Sequence, residues 1–215
     1  MKNSIFIEIE FFNSLNHKNY LTKVYPYKMK RCEWAESDEL LKKYHDEEWG
    51  FAVHDDKSLF EFLILEGAQA GLSWLTVLKK REGYKKAFNN FNAETISKYN
   101  QEKIKGLLLN PQIIRNKLKI ESAIKNAKCF LKIQKEFGSF DKYIWQFVNY
   151  KTINNNFKLT SQIPAKTRES DDMSKDLQKK GFKFAGSTIC YAFMQATGMV
   201  NDHLKGCFRN KKQLK

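Results

Sequence analysis

The chain has 215 residues, of which 42% are hydrophobic and 14% aromatic, with only three prolines and ten glycines. That length buries a real core in one domain or two closely packed lobes, the composition excludes a disordered chain, and the scarcity of turn formers argues against a strand-rich sandwich. The formal charge of +14 points to a polyanionic partner, nucleic acid first among them, unless it only mirrors a lysine- and asparagine-rich composition.

Residues 1–28 read differently from the rest. Ile5, Ile7, Ile9 and Phe11 alternate with polar residues, and Glu8 and Glu10 interrupt the stretch, which is wrong for a secretory signal. Four lysines against two glutamates leave +12 of the charge in residues 29–215. Met29 opens Met29-Lys30-Arg31-Cys32 and is a second candidate start of translation. Residues 1–28 are therefore expected to be an extension of unknown role, 29–209 the domain, and 210–215 a basic tail.

Helices dominate the domain. Ser37 or Asp38 is placed to cap a helix carrying Leu40, Leu41 and Tyr44. A second runs from about 57 to 70, with Gly71 ending it and Ser73 capping the next through Lys80. Further helices are expected near 84–90, 93–99, 101–109, 113–134 and 139–149. Asn154-Asn155-Asn156 marks 150–162 as a loop. Ser170 is expected to cap a helix ending at Gly181, and Thr188 to Thr197 forms a last apolar helix closed by Gly198. The fold class is mainly α.

Four cysteines do not make a disulfide scaffold, and no apolar run of about 18 residues suits a membrane helix, so a reducing cytoplasm is the expected compartment. Cys32 and His45 stand near one end of the domain, His203 and Cys207 near the other. Two thiolates and two imidazoles suit a closed tetrahedral zinc site that would staple the ends and leave no position for a catalytic water. Spacing alone is a weak signal here, because no Cys-x2-Cys pair is present. Cys129 and Cys190 sit among apolar residues as small core side chains, and His17 and His54 read as surface or loop residues.

At helical spacing Leu59, Phe62, Leu63, Glu66 and Ala70 fall on one stripe, with Trp74 near it. A carboxylate in an apolar stripe is costly to bury unpaired, and its pKa rises, which makes Glu66 a site candidate; the alternative is a helix-end residue that reaches water. Trp34, Tyr44, Trp49 and Trp74 are the planar side chains that a pocket for an extruded purine needs. An indole face also attracts a cationic base by about 0.5–2 kcal/mol. Ordinary packing explains such aromatics equally well. Residues 101–127 read as helix, turn, helix, with Asn110-Pro111 at the turn and Ile113-Ile114-Arg115-Asn116-Lys117-Leu118-Lys119-Ile120 opening the second helix. Its first N–H groups would suit a phosphate, with Arg115, Lys117 and Lys119 adding charge; a plain αα-hairpin with a solvated basic face is the competing reading.

Ordered motifs bring these pieces together. They are Arg31-Cys32-Glu33-Trp34, Tyr44-His45-Asp46-Glu47-Glu48-Trp49-Gly50, Leu65-Glu66-Gly67-Ala68-Gln69-Ala70-Gly71-Leu72-Ser73-Trp74, Thr76-Val77-Leu78-Lys79-Lys80-Arg81, Ile113-Ile114-Arg115-Asn116, Lys180-Gly181-Phe182-Lys183-Phe184, Thr188-Ile189-Cys190-Tyr191 and Gly198-Met199-Val200-Asn201-Asp202-His203 with Cys207. In this order, over roughly residues 29–209, they resemble the DNA-3-methyladenine glycosylase I family of the helix-hairpin-helix glycosylase superfamily. The resemblance implies a repair enzyme that hydrolyses the N-glycosidic bond of 3-methyladenine in alkylated double-stranded DNA and leaves an abasic site. It implies structural Zn2+ on Cys32, His45, His203 and Cys207, Glu66 as the catalytic residue, and Tyr44 and Trp74 in the base pocket, to which Trp34 and Trp49 are added here. Gly71 and Leu72 would approach the gap left by the flipped nucleotide, and Arg115 and Lys117 would meet the backbone. A monomer is expected. Asn110-Pro111-Gln112 departs from the superfamily, whose hairpins usually carry glycine in the turn, and puts DNA affinity in question. A zinc-stabilised nucleic-acid-binding module without catalysis explains charge and zinc equally well, but not Glu66 among aromatics; a metal-dependent hydrolase is a third reading.

Overall fold

The computed structural model describes residues 30–210. The expectations for residues 1–28, for His17 and Met29, and for the tail beyond Asn210 lie outside them. Asp38, rather than Ser37, caps helix α1 (Glu39–Glu47): its carboxylate accepts from the Leu40 N–H. Asp55 likewise starts α2 (Asp56–Gln69), accepting from the Ser58 N–H. All ten residues of α2 from Leu59 to Ala68 are buried. The expected single stripe is therefore corrected: Leu-Phe-Glu-Phe-Leu-Ile-Leu has no polar face, and α2 is buried all round. Each fully buried Leu, Ile or Phe there stabilises the fold by about 1.5–3 kcal/mol.

Ser73 caps α3 (Trp74–Ala87), as expected, but α3 continues past Lys80 instead of yielding to a separate helix near 84–90. Gly83 lies inside it. A Cβ there would come 2.3 Å from the Gln112 carbonyl oxygen, so the glycine serves a close backbone approach rather than a helix end. Asn92 caps a single turn, α4 (Ala93–Ile96), and Asn100 caps α5 (Gln101–Leu109). The next helix, α6 (Lys117–Phe137), opens four residues later than expected and stops at Gly138, whose φ is 85°. α7 (Phe140–Ile144) tightens into a 3-10 turn over Trp145–Val148, so 139–149 is not one α-helix.

Thr167, not Ser170, caps α8 (Arg168–Lys179). Ser170 is the reciprocal partner in a capping box, its hydroxyl accepting from the Thr167 N–H at 2.8 Å. α9 (Ser187–Ala196) is the last helix among the described residues. The expected loop at 150–162 contains β1 (Ile153–Asn154), which pairs in parallel with β2 (Val200–Asn201). That pairing anchors the segment leading to His203. The two ends of the described chain also meet: the Phe208 N–H donates to the Lys30 carbonyl at 3.0 Å. Among the described residues, no helix is long and apolar enough to cross a membrane.

Candidate active site and metal centre

Cys32 precedes a 3-10 turn (Glu33–Ser37), and His45 stands in the last turn of α1. His203 and Cys207 follow β2 on a tight turn closed by the Cys207 N–H on the Leu204 carbonyl at 2.7 Å. All four side chains are buried, and their ligand atoms lie within 4.8 Å of one another. His203 Nδ1 is 3.2 Å from His45 Nε2, 3.6 Å from Cys207 Sγ and 3.8 Å from Cys32 Sγ, while Cys207 Sγ is 3.3 Å from His45 Nε2. Bonds of about 2.0–2.3 Å from a tetrahedral ion give ligand–ligand edges of about 3.3–3.8 Å. The side chains present thus fit a metal ion.

The surrounding groups orient these donors. Arg31 grips Asp46 through Nε at 2.9 Å and Nη2 at 2.7 Å, and Asp46 Oδ1 is 2.8 Å from His45 Nδ1. That leaves Nε2 facing the centre. His203 Nε2 donates to the Trp49 carbonyl at 3.0 Å, which leaves Nδ1 facing inward. The N–H groups of Leu204 and Arg209 donate to the sulfurs of Cys32 and Cys207, each at 3.4 Å. Contact with the Cys32 thiol holds Cys207 far below the usual thiol range, towards the thiolate that binds metals.

α2 buries two carboxylates, and they differ. Glu61 accepts from Arg81 Nε at 2.6 Å, and the same guanidinium donates to Glu48 at 2.6 Å. Glu66 has no such partner. Its Oε2 is buried without a hydrogen bond, and burial pushes its pKa up to about 8. Trp74 Nε1 is likewise buried without an acceptor. The Tyr44 ring lies 5.2 Å from that of Trp74, and the Tyr44 phenol is pushed well above its usual range by burial first and by the Glu66 charge second.

Tyr44 and Trp74 thus gather on the Glu66 side. Trp49 lies on the metal side, 6.2 Å from the His45 ring and 4.6 Å from that of His203. Trp34 bridges the two, 6.4 Å from Tyr44 and 5.0 Å from Trp49. Cys129 and Cys190 are core residues. His54 is at the surface, hydrogen-bonded to Asp141 at 2.8 Å and stacked on Trp145.

Between α2 and α3, Gly71 adopts φ 75°, and Leu72 exposes an apolar side chain to solvent. The first turn of α6 reaches the start of this loop through Lys119 on the Ala70 carbonyl, and the α5–α6 turn precedes that helix. Ile113 does not start a helix: it is buried in the turn, and Asn116 caps α6 by accepting from the Lys119 N–H. The cap, rather than the apolar pair, decides the helix start. Asn110-Pro111-Gln112 closes without glycine because Asn110 Oδ1 accepts from the Gln112 N–H at 2.9 Å. Lys80 Nζ holds the Pro111 carbonyl at 2.7 Å. Arg115 and Lys117 are exposed, as a phosphate contact requires. Lys119 turns inward instead, donating to the carbonyls of Ala68 at 2.8 Å and Ala70 at 2.7 Å. Sequence reasoning missed this contact and the Glu48–Arg81–Glu61 cluster, since a basic residue on a polar helix turn carries no mark of which way it folds. It also missed Asn126, whose amide clamps the Lys183 backbone at 2.9 and 2.8 Å beside Phe184 at φ 51°.

Comparison with known proteins places the chain in a family. The methyladenine glycosylase family matches residues 34–210. The chain is 46% identical to DNA-3-methyladenine glycosylase 1 of Escherichia coli, over 83% of this chain and 96% of that one. It is also 46% identical to DNA-3-methyladenine glycosylase of Haemophilus influenzae, over 82% and 96% respectively. A 3-methyladenine DNA glycosylase I from Staphylococcus aureus, solved to explain its recognition of 3-methyladenine, superposes with a TM-score of 0.82 at 36% identity and covers 86% of this chain and 98% of its own. The chain belongs to the methyladenine glycosylase family.

Proposed function

We propose that this protein excises 3-methyladenine from alkylated double-stranded DNA by hydrolysing the N-glycosidic bond, releasing the free base and leaving an abasic site. The observation that carries the reading is the buried Glu66 carboxyl, its Oε2 without a hydrogen-bond partner, near enough to Tyr44 to act on its phenol, with the unpartnered Trp74 indole against the Tyr44 ring. The names of the relatives from Escherichia coli and Haemophilus influenzae, and recognition of 3-methyladenine by the Staphylococcus aureus enzyme, support it.

Methylation at N3 makes adenine a cation, and departure from the sugar neutralises it, so the leaving group needs little acid assistance. Without substrate, Glu66 is protonated near neutral pH. A cationic ring placed against it favours the carboxylate. An ordinary adenine brings no such charge and meets a neutral acid. Glu66 accepts from the amino edge of the base, Trp74 stacks on it and Tyr44 lines the pocket, with Trp34 and Trp49 behind. Water attacks the sugar carbon directly, with no covalent intermediate and no strand cleavage. Leu72, carried on the Gly71 turn, fills the gap left by the flipped nucleotide. Arg115 and Lys117 on the helix-hairpin-helix α5–α6 meet the phosphates, which positions the duplex without reading its sequence.

Cys32, His45, His203 and Cys207 hold Zn2+. Four protein ligands fill a tetrahedral ion, so zinc here supplies structure: it ties residue 32 to residue 207. The catalytic unit is residues 29–209, working as a monomer in the cytoplasm. Release of free 3-methyladenine from methylated duplex DNA tests the reading. Release well above background is the expected result; its absence, with DNA binding intact, would leave a nucleic-acid-binding module.

A further inference from the structure

The first turn of α6 carries a lysine that does not serve the duplex directly. Lys119 spends its amine on two carbonyls at the C-terminal end of α2, those of Ala68 and Ala70. Helix ends leave such carbonyls without intrahelical partners, and a cation there also meets the negative end of the helix dipole. The two carbonyls lie between Glu66 and the loop that leads to Trp74. Glu66 lies two residues before Ala68, Gly71 and Leu72 follow Ala70 directly, and Trp74 opens α3. The other backbone bonds of this connection are local, Leu72 N–H on the Gln69 carbonyl and Thr76 N–H on the Ser73 carbonyl. Lys119 reaches across 49 and 51 positions of sequence. It stands on the same turn as Lys117 and beyond Arg115.

We propose that Lys119 is a positioning residue: by holding the Ala68 and Ala70 carbonyls it couples the hairpin's grip on the DNA backbone to the placement of Glu66 and Leu72. The coupling rests on the glycosylase reading. A duplex gripped in the correct register delivers the flipped base to Glu66 only if the end of α2 is held in a constant relation to α6. Misplacement by about 1 Å can slow a reaction by about a hundredfold.

The test uses the full chain with Lys119→Met, which keeps the aliphatic stem and the helix propensity. Three quantities are measured: the single-turnover rate of base release with DNA fully bound, the salt dependence of affinity for undamaged duplex, and the affinity for free 3-methyladenine by tryptophan fluorescence. The expected result is a rate at least tenfold lower, an unchanged salt slope, and free-base affinity within about twofold of wild type. An unchanged saturating rate overturns the proposal. So does a slope shallower by about 0.9, the mark of a lost phosphate contact. A fall in free-base affinity matching the fall in rate would make Lys119 a plain support of the pocket and also overturns it. Lys119→Arg, which keeps the charge and N–H donors, is expected to stay closer to wild type than Lys119→Met does; the reverse order counts against the proposal. Wild-type protein that binds DNA yet releases no base would instead sink the glycosylase reading and leave the coupling unneeded.

Discussion

Glu61 and Glu66 share a helix and a degree of burial, yet Arg81 neutralises only the first. Burial alone therefore raises Glu66 from an ordinary value of 4.5 to about 8. Between those pH values the folded protein holds a proton that the unfolded chain has released. The stability this contributes is full below about pH 4.5 and is lost as pH rises towards 8, at about 1.4 kcal/mol per unit. Glu66→Gln removes this liability. The variant is expected to gain thermal stability over wild type by a few kcal/mol at pH 8, with little difference at pH 4.5. A melting-temperature difference that stays constant with pH would show that Glu66 does not titrate in this window. The same substitution is expected to lower base release by about 10- to 100-fold, since one buried hydrogen-bonding group contributes roughly 1–3 kcal/mol. Unaltered single-turnover rates would remove Glu66 from the chemistry. The apolar spacing around Glu66 is legible in the sequence, but its lack of a partner is not. Arg81 lies 20 positions from Glu61, and nothing local says which glutamate it reaches.

Elements matter through where they end. α5 and α6 are visible as apolar periodic stretches, but the pattern places the start of α6 too early, because Ile113 and Ile114 continue it while Asn116 sets the cap. The turn between them is held by α3, through Lys80 on the Pro111 carbonyl and through the space Gly83 leaves for Gln112. Gly83→Ala would put a Cβ 2.3 Å from the Gln112 oxygen, with backbone rather than a flexible side chain in the way. It is expected to destabilise the fold by about 1–3 kcal/mol and to weaken duplex binding, while free 3-methyladenine still binds. Equal losses of duplex and free-base affinity would mean that this turn does not serve the DNA side alone. The missing glycine at Asn110-Pro111-Gln112 is made good locally: the Asn110 side chain closes the turn that glycine would otherwise ease.

For the whole molecule, the four-ligand centre and the Phe208–Lys30 hydrogen bond close the chain upon itself. The proposed zinc centre predicts one equivalent of zinc per wild-type chain, nearly none after replacing Cys32 or His203 by alanine, and a sharply lower melting temperature, because metal affinity at such a site is folding free energy. Residual activity should follow the folded fraction. Inactive protein of undiminished stability would instead assign the metal to the reaction. A chain started at Met29 is expected to bind zinc and release base like the full protein, by metal analysis and the excision assay. Loss of either would place part of the functional unit in residues 1–28.

Local chemistry settled much of this protein from sequence alone. Caps at Asp38 and Ser73, apolar periodicity and ordered motifs mark a helical domain, its four metal-ligand candidates and Glu66. Each of these signals lives within a few residues, where propensity and spacing act. Tertiary structure decided the rest. It showed that α2 is buried all round, that residues 32 and 207 meet, that Trp49 sits with the imidazoles while Tyr44 and Trp74 sit with Glu66, and that Lys119 points inward. Those outcomes depend on which distant groups compete for the same buried charge or carbonyl, and that competition is resolved only when the helices pack.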